Sequence, residues 1–242
     1  MAIEAKQTAL ITGASRGLGL ALARELARRG WTLIIDARGA EALEAARTEL
    51  ATLTTVTAVP GDVTEAAHRH ALMAAAREAG GLDLLVNNAG ILGPSPQPEL
   101  LAYPLDVLEQ VYRANVIAPL ALVQAAQAAL NPGACIINIT SDAAVEPYPG
   151  WGGYGSSKAA LQQLSAVLGA ENPGLRVYAV DPGDMRTQMH QEAFPGEDIS
   201  DRPEPATVVP HLLGLLATRP PSGRYRAADL PVAERVAGGV RS

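Results

Sequence analysis

One cysteine, Cys135, stands among the 242 residues, so the chain has neither an intrachain disulfide framework nor a metal centre built on several thiolates. It falls in the apolar run Ala134-Cys135-Ile136-Ile137, where a thiol packs as a small hydrophobe. No metal site is expected. Basic charge is scarce: 19 Lys+Arg against 25 Asp+Glu give a net charge of −6 with the signs interspersed, which excludes a basic footprint for nucleic acid or an anionic membrane. No apolar run approaches the ~18 residues of a membrane span. Met1-Ala2-Ile3-Glu4-Ala5-Lys6 leads into a strand pattern without the apolar core of a secretion signal, so a cytoplasmic location is expected. Aromatic residues make up only 4%, which leaves alanine and leucine to fill the interior, as in helices laid on a sheet.

What is present is a globular composition, with 48% hydrophobic and 18% charged residues, enough for one generous domain spanning 1–242. Short apolar runs at Thr8–Thr12, Trp31–Ile35, Thr54–Val59, Leu82–Val86, Ala134–Thr140 and Leu175–Val180 read as strands, with a weak edge strand at Gly223–Ala228. Helical stretches lie between them. That alternation implies an α/β fold: a doubly wound, mostly parallel sheet of about seven strands with helices on both faces. Leu105–Leu130 reads as one long helix bent at Pro119. Residues 188–204, rich in proline and charge, read as an aperiodic flap over a site, and 230–242 as a tail.

The first strand ends in Gly13-Ala14-Ser15-Arg16-Gly17-Leu18-Gly19 and a helix follows. Free amides at that helix start form an anion site suited to a pyrophosphate. At the end of the second strand, Asp36-Ala37-Arg38 offers both ribose solutions: a carboxylate for a free 2′-hydroxyl and a guanidinium for a 2′-phosphate. Arg16 adds a second cation and favours the phosphorylated cofactor. Asp62 reads as an acceptor for adenine or a helix cap. Asn87-Asn88-Ala89-Gly90 follows the fourth strand, where open α/β sheets bind ligands, or makes a rigid turn.

Tyr154 and Lys158 are spaced to share one helix face. An ammonium at ~4 Å, with an effective dielectric near ~20, would lower a phenol of pKa ~10 by about three units. The lysine is therefore expected to bring the tyrosine toward neutrality, where it can exchange protons. Ser141 ends the fifth strand, and Asn115 lies near the expected bend. Tyr148, Trp151, Met189, His190 and Phe194 are available to line an apolar pocket under the flap.

Thr12-Gly13-x-x-x-Gly17-x-Gly19, Asn87-Asn88-Ala89-Gly90, Asn115, Ser141, Tyr154-x-x-x-Lys158 and Pro182-Gly183-x-x-x-Thr187 occur in the order and spacing of the short-chain dehydrogenases/reductases, which the chain resembles over about residues 5–230. The resemblance implies a Rossmann-type fold and an oxidoreductase acting on a small carbonyl/alcohol substrate. It makes Tyr154 the proton donor or acceptor, Ser141 the group orienting the substrate oxygen, Lys158 the activator and ribose ligand, and Asn115 the anchor of a water relay. It assigns the glycine loop to pyrophosphate, Asp62 and Val63 to adenine, and Asn88, with Ala89 and Gly90, to the adenosine side. Pro182, Gly183 and Met185 to Thr187 fall to the nicotinamide end. Arg38 resembles the NADP-preferring branch, so NADP(H) is expected ahead of NAD(H), and a homodimer or homotetramer through helices 105–130 and 154 onward is implied. A dehydratase or epimerase using the same pair, and a dinucleotide-sensing protein without turnover, stay open. Asp184 departs from the apolar residue common after Pro-Gly in the family.

Overall fold

Strands that are apolar on both faces must be covered on both. In the computed structural model, which describes residues 6–233, seven strands form a single sheet: β1 (Thr8–Ile11), β2 (Thr32–Ala37), β3 (Val56–Pro60), β4 (Leu82–Asn87), β5 (Leu130–Ile139), β6 (Arg176–Asp181) and β7 (Gly223–Arg226). Their order is β3-β2-β1-β4-β5-β6-β7 and every pairing is parallel. Parallel neighbours need crossover connections, which carry α1 (Gly17–Arg28), α2 (Ala40–Leu50), α3 (Ala66–Glu78), α4 (Leu105–Tyr112), α5 (Ala118–Ala126), α6 (Gly152–Glu171), α7 (Gln188–Ala193) and α8 (Val209–Thr218).

Because successive strand residues face opposite ways, the core divides in two. Ile11, Ile35 and Val86 pack with Leu22 of α1, Leu43 of α2 and Leu212 of α8. Leu10, Ile34 and Leu85, one residue away in each strand, pack with Leu72 of α3 and Leu122 of α5. Cys135 is 1% exposed within the first of these clusters, and burial pushes its thiol pKa up, so it is inert packing. The strand order turns back between β1 and β4, and the connections leaving their C-terminal ends diverge to open a crevice there.

Asn87 of β4 donates to Asn138 of β5 (2.7 Å), Asn138 donates to Ser165 of α6 (2.7 Å), and Ser165 donates to the Leu161 carbonyl (2.7 Å). All three side chains are buried. A buried polar chain tolerates little sliding, since any shift strands a donor without a partner. It thus fixes the rotation of α6, the helix that carries Tyr154 and Lys158.

Three expectations need correction. The helix expected over 105–130 is two, α4 and α5, joined by a π-helical turn at Arg113–Ile117, and the chain is already in β5 at Leu130. Pro119 sits in the first turn of α5, where a missing N–H costs least, so the irregularity lies upstream of it. The 188–204 segment contains α7, whose first turn is capped when Thr187 Oγ1 accepts the His190 amide at 3.2 Å. Leu230, read as the start of a tail, is 8% exposed and joins the core; residues 234–242 of that tail lie outside the described residues, as do residues 1–5 at the other end. Among the described residues no helix is long and apolar enough to cross a membrane.

Candidate active site

The glycine loop is shaped by what surrounds it. Gly13 and Gly17 have φ of +65° and +59°, a region costly for other residues. A Cβ on Gly19 would lie 2.6 Å from Asn88 Nδ2 and 2.6 Å from the Gly13 carbonyl. Asn88 is the strut: its Nδ2 donates to the carbonyls of Thr12 (2.8 Å) and Gly13 (3.1 Å), while the Asn88 and Ala89 amides both donate to Thr12 Oγ1 at 3.0 Å. Its Nδ2 is thus spent on holding the loop. At the start of α1, Arg16 supplies no side-chain cap and the first turn holds no acidic residue. The amides there face the crevice without a competing anion. Arg16 itself is exposed and donates to Gln188 of α7, and Gly17 lies beside Thr187, so the Pro182–Thr187 segment closes the other side of the crevice.

At the ribose end the two candidates separate. Asp36 is 1% exposed, with Oδ1 accepting the Gly13 amide (2.8 Å) and Oδ2 paired with His68 Nε2 (2.9 Å). Facing inward, it offers no surface to a ribose, which corrects its reading as a ribose ligand. Arg38, two residues on, is exposed. Asp62 Oδ1 accepts the Thr64 amide at 2.8 Å, a local turn bond; α3 starts at Ala66 with Glu65 as its N-cap and no side-chain cap, which corrects the reading of Asp62 as the helix cap. Burial pushes its carboxyl pKa up, but the Thr64 hydrogen bonds and the Arg38 and His68 charges outweigh that and hold it below the ordinary range.

Tyr154 and Lys158 meet as their spacing predicts, with Nζ 5.4 Å from the centroid of the phenol ring. Lys158 is 4% exposed, donates to the Ile139 carbonyl at 2.8 Å, and burial pulls its pKa down to about 8. The Tyr154 hydroxyl moves opposite to expectation. Burial, then the carboxylates of Asp142 and Asp181, hold it well above the usual phenol range. A lowered pKa needs a solvated phenol with the ammonium at its oxygen; here the phenol is buried, and desolvation of the phenolate dominates.

The remaining side chains are fixed from the backbone. Asn115, 0% exposed in the π-helical turn, accepts the Ile91 amide (2.9 Å) and donates to the Ile91 carbonyl (2.9 Å) and Ser157 Oγ (3.0 Å). Its side chain stitches the loop after β4 to α6. Gly90 lets Asn115 and Lys158 come close, since a Cβ there would sit 3.1 Å from Asn115 Oδ1 and 3.6 Å from Nζ. Ser141 donates to Asp142 Oδ1 at 2.9 Å and accepts the Ala143 amide at 3.2 Å. The turn it starts packs on α6 beside Tyr154: Ala143 and Tyr154 share one apolar cluster, and a Cβ on Gly155 would lie 2.6 Å from the Ala143 carbonyl. Trp151 packs edge-on against Tyr154 (5.9 Å between ring centres) and next to Phe194 (5.7 Å), which stacks near His190 (4.9 Å). The aromatic residues of the loop and flap therefore form one wall leading to Tyr154. Tyr148 instead donates to Asp142 at 3.0 Å.

Two residues that no motif marks also shape the site: Asp142, which orients Ser141, and His68, which holds Asp36. The signal for His68 was a histidine in the apolar stripe of α3, one turn before Leu72, with an aspartate in the otherwise apolar β2.

The buried ammonium has a consequence for stability. Lys158 titrates near 8 in the folded chain and near ~10.4 unfolded. Below about pH 8 both states are charged, and the folded one bears the burial cost. Between the two values only the unfolded chain keeps the proton, so stability rises with pH across that window. Urea unfolding of wild type and Lys158→Met at about pH 7.5 and about pH 10 checks this. The wild-type midpoint is expected to gain on the variant at the higher pH; a difference that does not change with pH would mean that the ammonium is not disfavoured by burial.

The chain matches the family model described as short chain dehydrogenase over residues 7–198. It is 36% identical over 200 residues to sepiapterin reductase of Mus musculus, covering 76% of each chain. It superposes on the Escherichia coli oxidoreductase yciK with a TM-score of 0.84 at 28% identity, covering 91% of this chain and 94% of that one. An alcohol dehydrogenase from the archaeon Thermococcus sibiricus, complexed with 5-hydroxy-NADP, superposes with a TM-score of 0.80 at 26% identity, covering 91% and 95%. An all-parallel sheet with a glycine cradle at its switch point, a Tyr-Lys pair on the adjoining helix and these likenesses lead to one assignment: the chain belongs to the short-chain dehydrogenase/reductase family of oxidoreductases.

Proposed function

We propose that this protein is an NADP(H)-dependent oxidoreductase that transfers hydride between the nicotinamide and a carbonyl/secondary alcohol pair, with Tyr154 as general acid/base. The observation that carries the reading is that Tyr154, Lys158 and the turn of Ser141 converge beside a glycine cradle too narrow for any Cβ at Gly19. The cradle fits a dinucleotide: α1 offers uncapped amides to a pyrophosphate, and exposed Arg16 and Arg38 flank it. The bound cofactor supplies the hydride. Tyr154, protonated at neutral pH, stands ready to give its proton to a carbonyl oxygen. Ser141, its own proton directed to Asp142, keeps an acceptor lone pair for the Tyr154 hydroxyl or a substrate alcohol. Lys158 holds positive charge close to the phenol ring, and Asn115 keeps the lysine's surroundings rigid. Leu92, Trp151, Met189 and Ala193 support an apolar substrate.

The phosphorylated cofactor is favoured because the Asp36 carboxylate is turned inward, while exposed Arg38 can pair with a 2′-phosphate. The Thermococcus sibiricus relative was crystallised with an NADP derivative, which agrees. A homodimer or homotetramer through α4, α5 and α6 belongs to the same reading, supported by exposed Leu105 of α4, Ile117 of the π-helical turn between α4 and α5, and Val167 of α6. Parallel fluorescence titrations with NADPH and NADH test the cofactor. NADPH is expected to bind more tightly, and Arg38→Ala to weaken it roughly tenfold or more with little effect on NADH. Equal affinity for the two cofactors in the wild type would overturn the preference.

A further inference from the structure

Resting on the cofactor reading above, we propose that His68, although it lies outside the crevice, is a positioning residue for dinucleotide binding that acts through Asp36 on the glycine loop. Asp36 joins two things that the chain keeps apart. Its Oδ1 takes the Gly13 amide at 2.8 Å and its main-chain carbonyl takes the Ala14 amide at 2.9 Å, so the first turn of the loop hangs on this residue twice. Its Oδ2 is held by His68 Nε2 at 2.9 Å, with the imidazole 7% and the carboxylate 1% exposed. Burial pushes the Asp36 carboxyl pKa up and the His68 and Gly13 hydrogen bonds oppose that, so its ionised form leans on those two donors.

The backbone is also cut to admit the imidazole. Gly61, just past β3, would carry a Cβ only 2.3 Å from His68 Nδ1, so any side chain there displaces the ring. Gly61 is itself fixed by donating its amide to the Ala37 carbonyl at 3.0 Å. The path therefore runs from α3 through His68 and Asp36 to Gly13, whose left-handed conformation sets the direction of the loop amides. The same inward pull removes the Asp36 carboxylate from the ribose end and leaves that position to Arg38. One pair thus shapes the pyrophosphate cradle and clears the way for a 2′-phosphate.

Amide hydrogen exchange on the cofactor-free protein tests the anchoring without any turnover, with NADPH titration alongside. His68→Leu is expected to speed exchange across Gly13–Gly19 by roughly tenfold while the β4 peptide Leu82–Asn87 stays as in wild type, and to weaken NADPH by a similar factor. His68→Gln retains an N–H donor for Asp36 and is expected to stay within about twofold of wild type in both readouts. Gly61→Ala, which displaces the ring without removing it, is expected to behave like His68→Leu. Should the leucine protein fail to fold, the Asp36→Ser/His68→Val double variant, which leaves no buried charge unpaired, carries the test and must also show faster loop exchange. Unchanged loop exchange in folded His68→Leu, or in the double variant, overturns the proposal. So does a glutamine variant as impaired as the leucine one, since the site would then need only the ring's bulk. A wild-type protein that binds neither NADPH nor NADH refutes the cofactor reading and leaves the exchange result standing.

Discussion

Replacing Tyr154 by phenylalanine is expected to lower turnover on any accepted carbonyl by roughly a thousandfold, while NADPH affinity stays within about threefold of wild type. The substitution keeps the ring, and with it the edge contact to Trp151 and the position over which Lys158 Nζ sits. Only the hydroxyl, the proposed proton carrier, is lost. Because the hydroxyl sits above the ordinary phenol range, the wild-type site holds its proton at neutral pH and is prepared for reduction. Oxidation of the alcohol requires the phenolate and should rise steadily into the alkaline range in the wild type. Steady-state rates and direct cofactor titration on the same preparation check both points. A phenylalanine protein with near wild-type turnover would remove Tyr154 from the chemistry, and stoichiometric oxidation of NADPH separates reduction from a dehydratase or epimerase use of the same residues.

Gly19→Ala is expected to destabilise the protein by about 1–3 kcal/mol and to weaken NADPH by at least about tenfold. Helix propensity alone says the opposite, since alanine in a helix interior gains about 1 kcal/mol over glycine. The local geometry decides the sign. Gly19 is in the first turn of α1, and the new methyl would meet Asn88 Nδ2 and the Gly13 carbonyl, both at 2.6 Å. Neither can yield cheaply: one is main chain, and the other is held by the Thr12 and Gly13 carbonyls. Gly174→Ala is the control, because it is exposed between α6 and β6 and nothing lies within 4 Å of its added Cβ; it should leave stability and NADPH binding nearly unchanged. Urea unfolding with cofactor titration reads both variants. A stabilised Gly19→Ala protein would show that the cradle is looser than its contacts indicate.

Much of this was readable from the sequence alone. The apolar runs and the helices between them give a doubly wound parallel sheet, because strand and helix periods are local properties of the chain. The glycine loop, the Tyr-Lys spacing and the order of the motifs mark the rim that carries the candidate site, since turn geometry and helix faces also depend on near neighbours. Burial of Cys135 in its apolar run was legible, but the partners and charge states that burial sets around the site were not. That Asp36 turns inward to His68, thirty-two positions later in the chain, depends on how α3 packs on β2. That the Tyr154 pKa rises rather than falls depends on how deeply α6 seats and which carboxylates lie near, even though the Lys158 spacing was plain. The π-helical turn ahead of Pro119 and the Asn87-Asn138-Ser165 chain are likewise settled by contacts across the sheet. Local sequence sets which groups are available. The packed interior sets which of them keep water, and desolvation then decides each group's charge and partner.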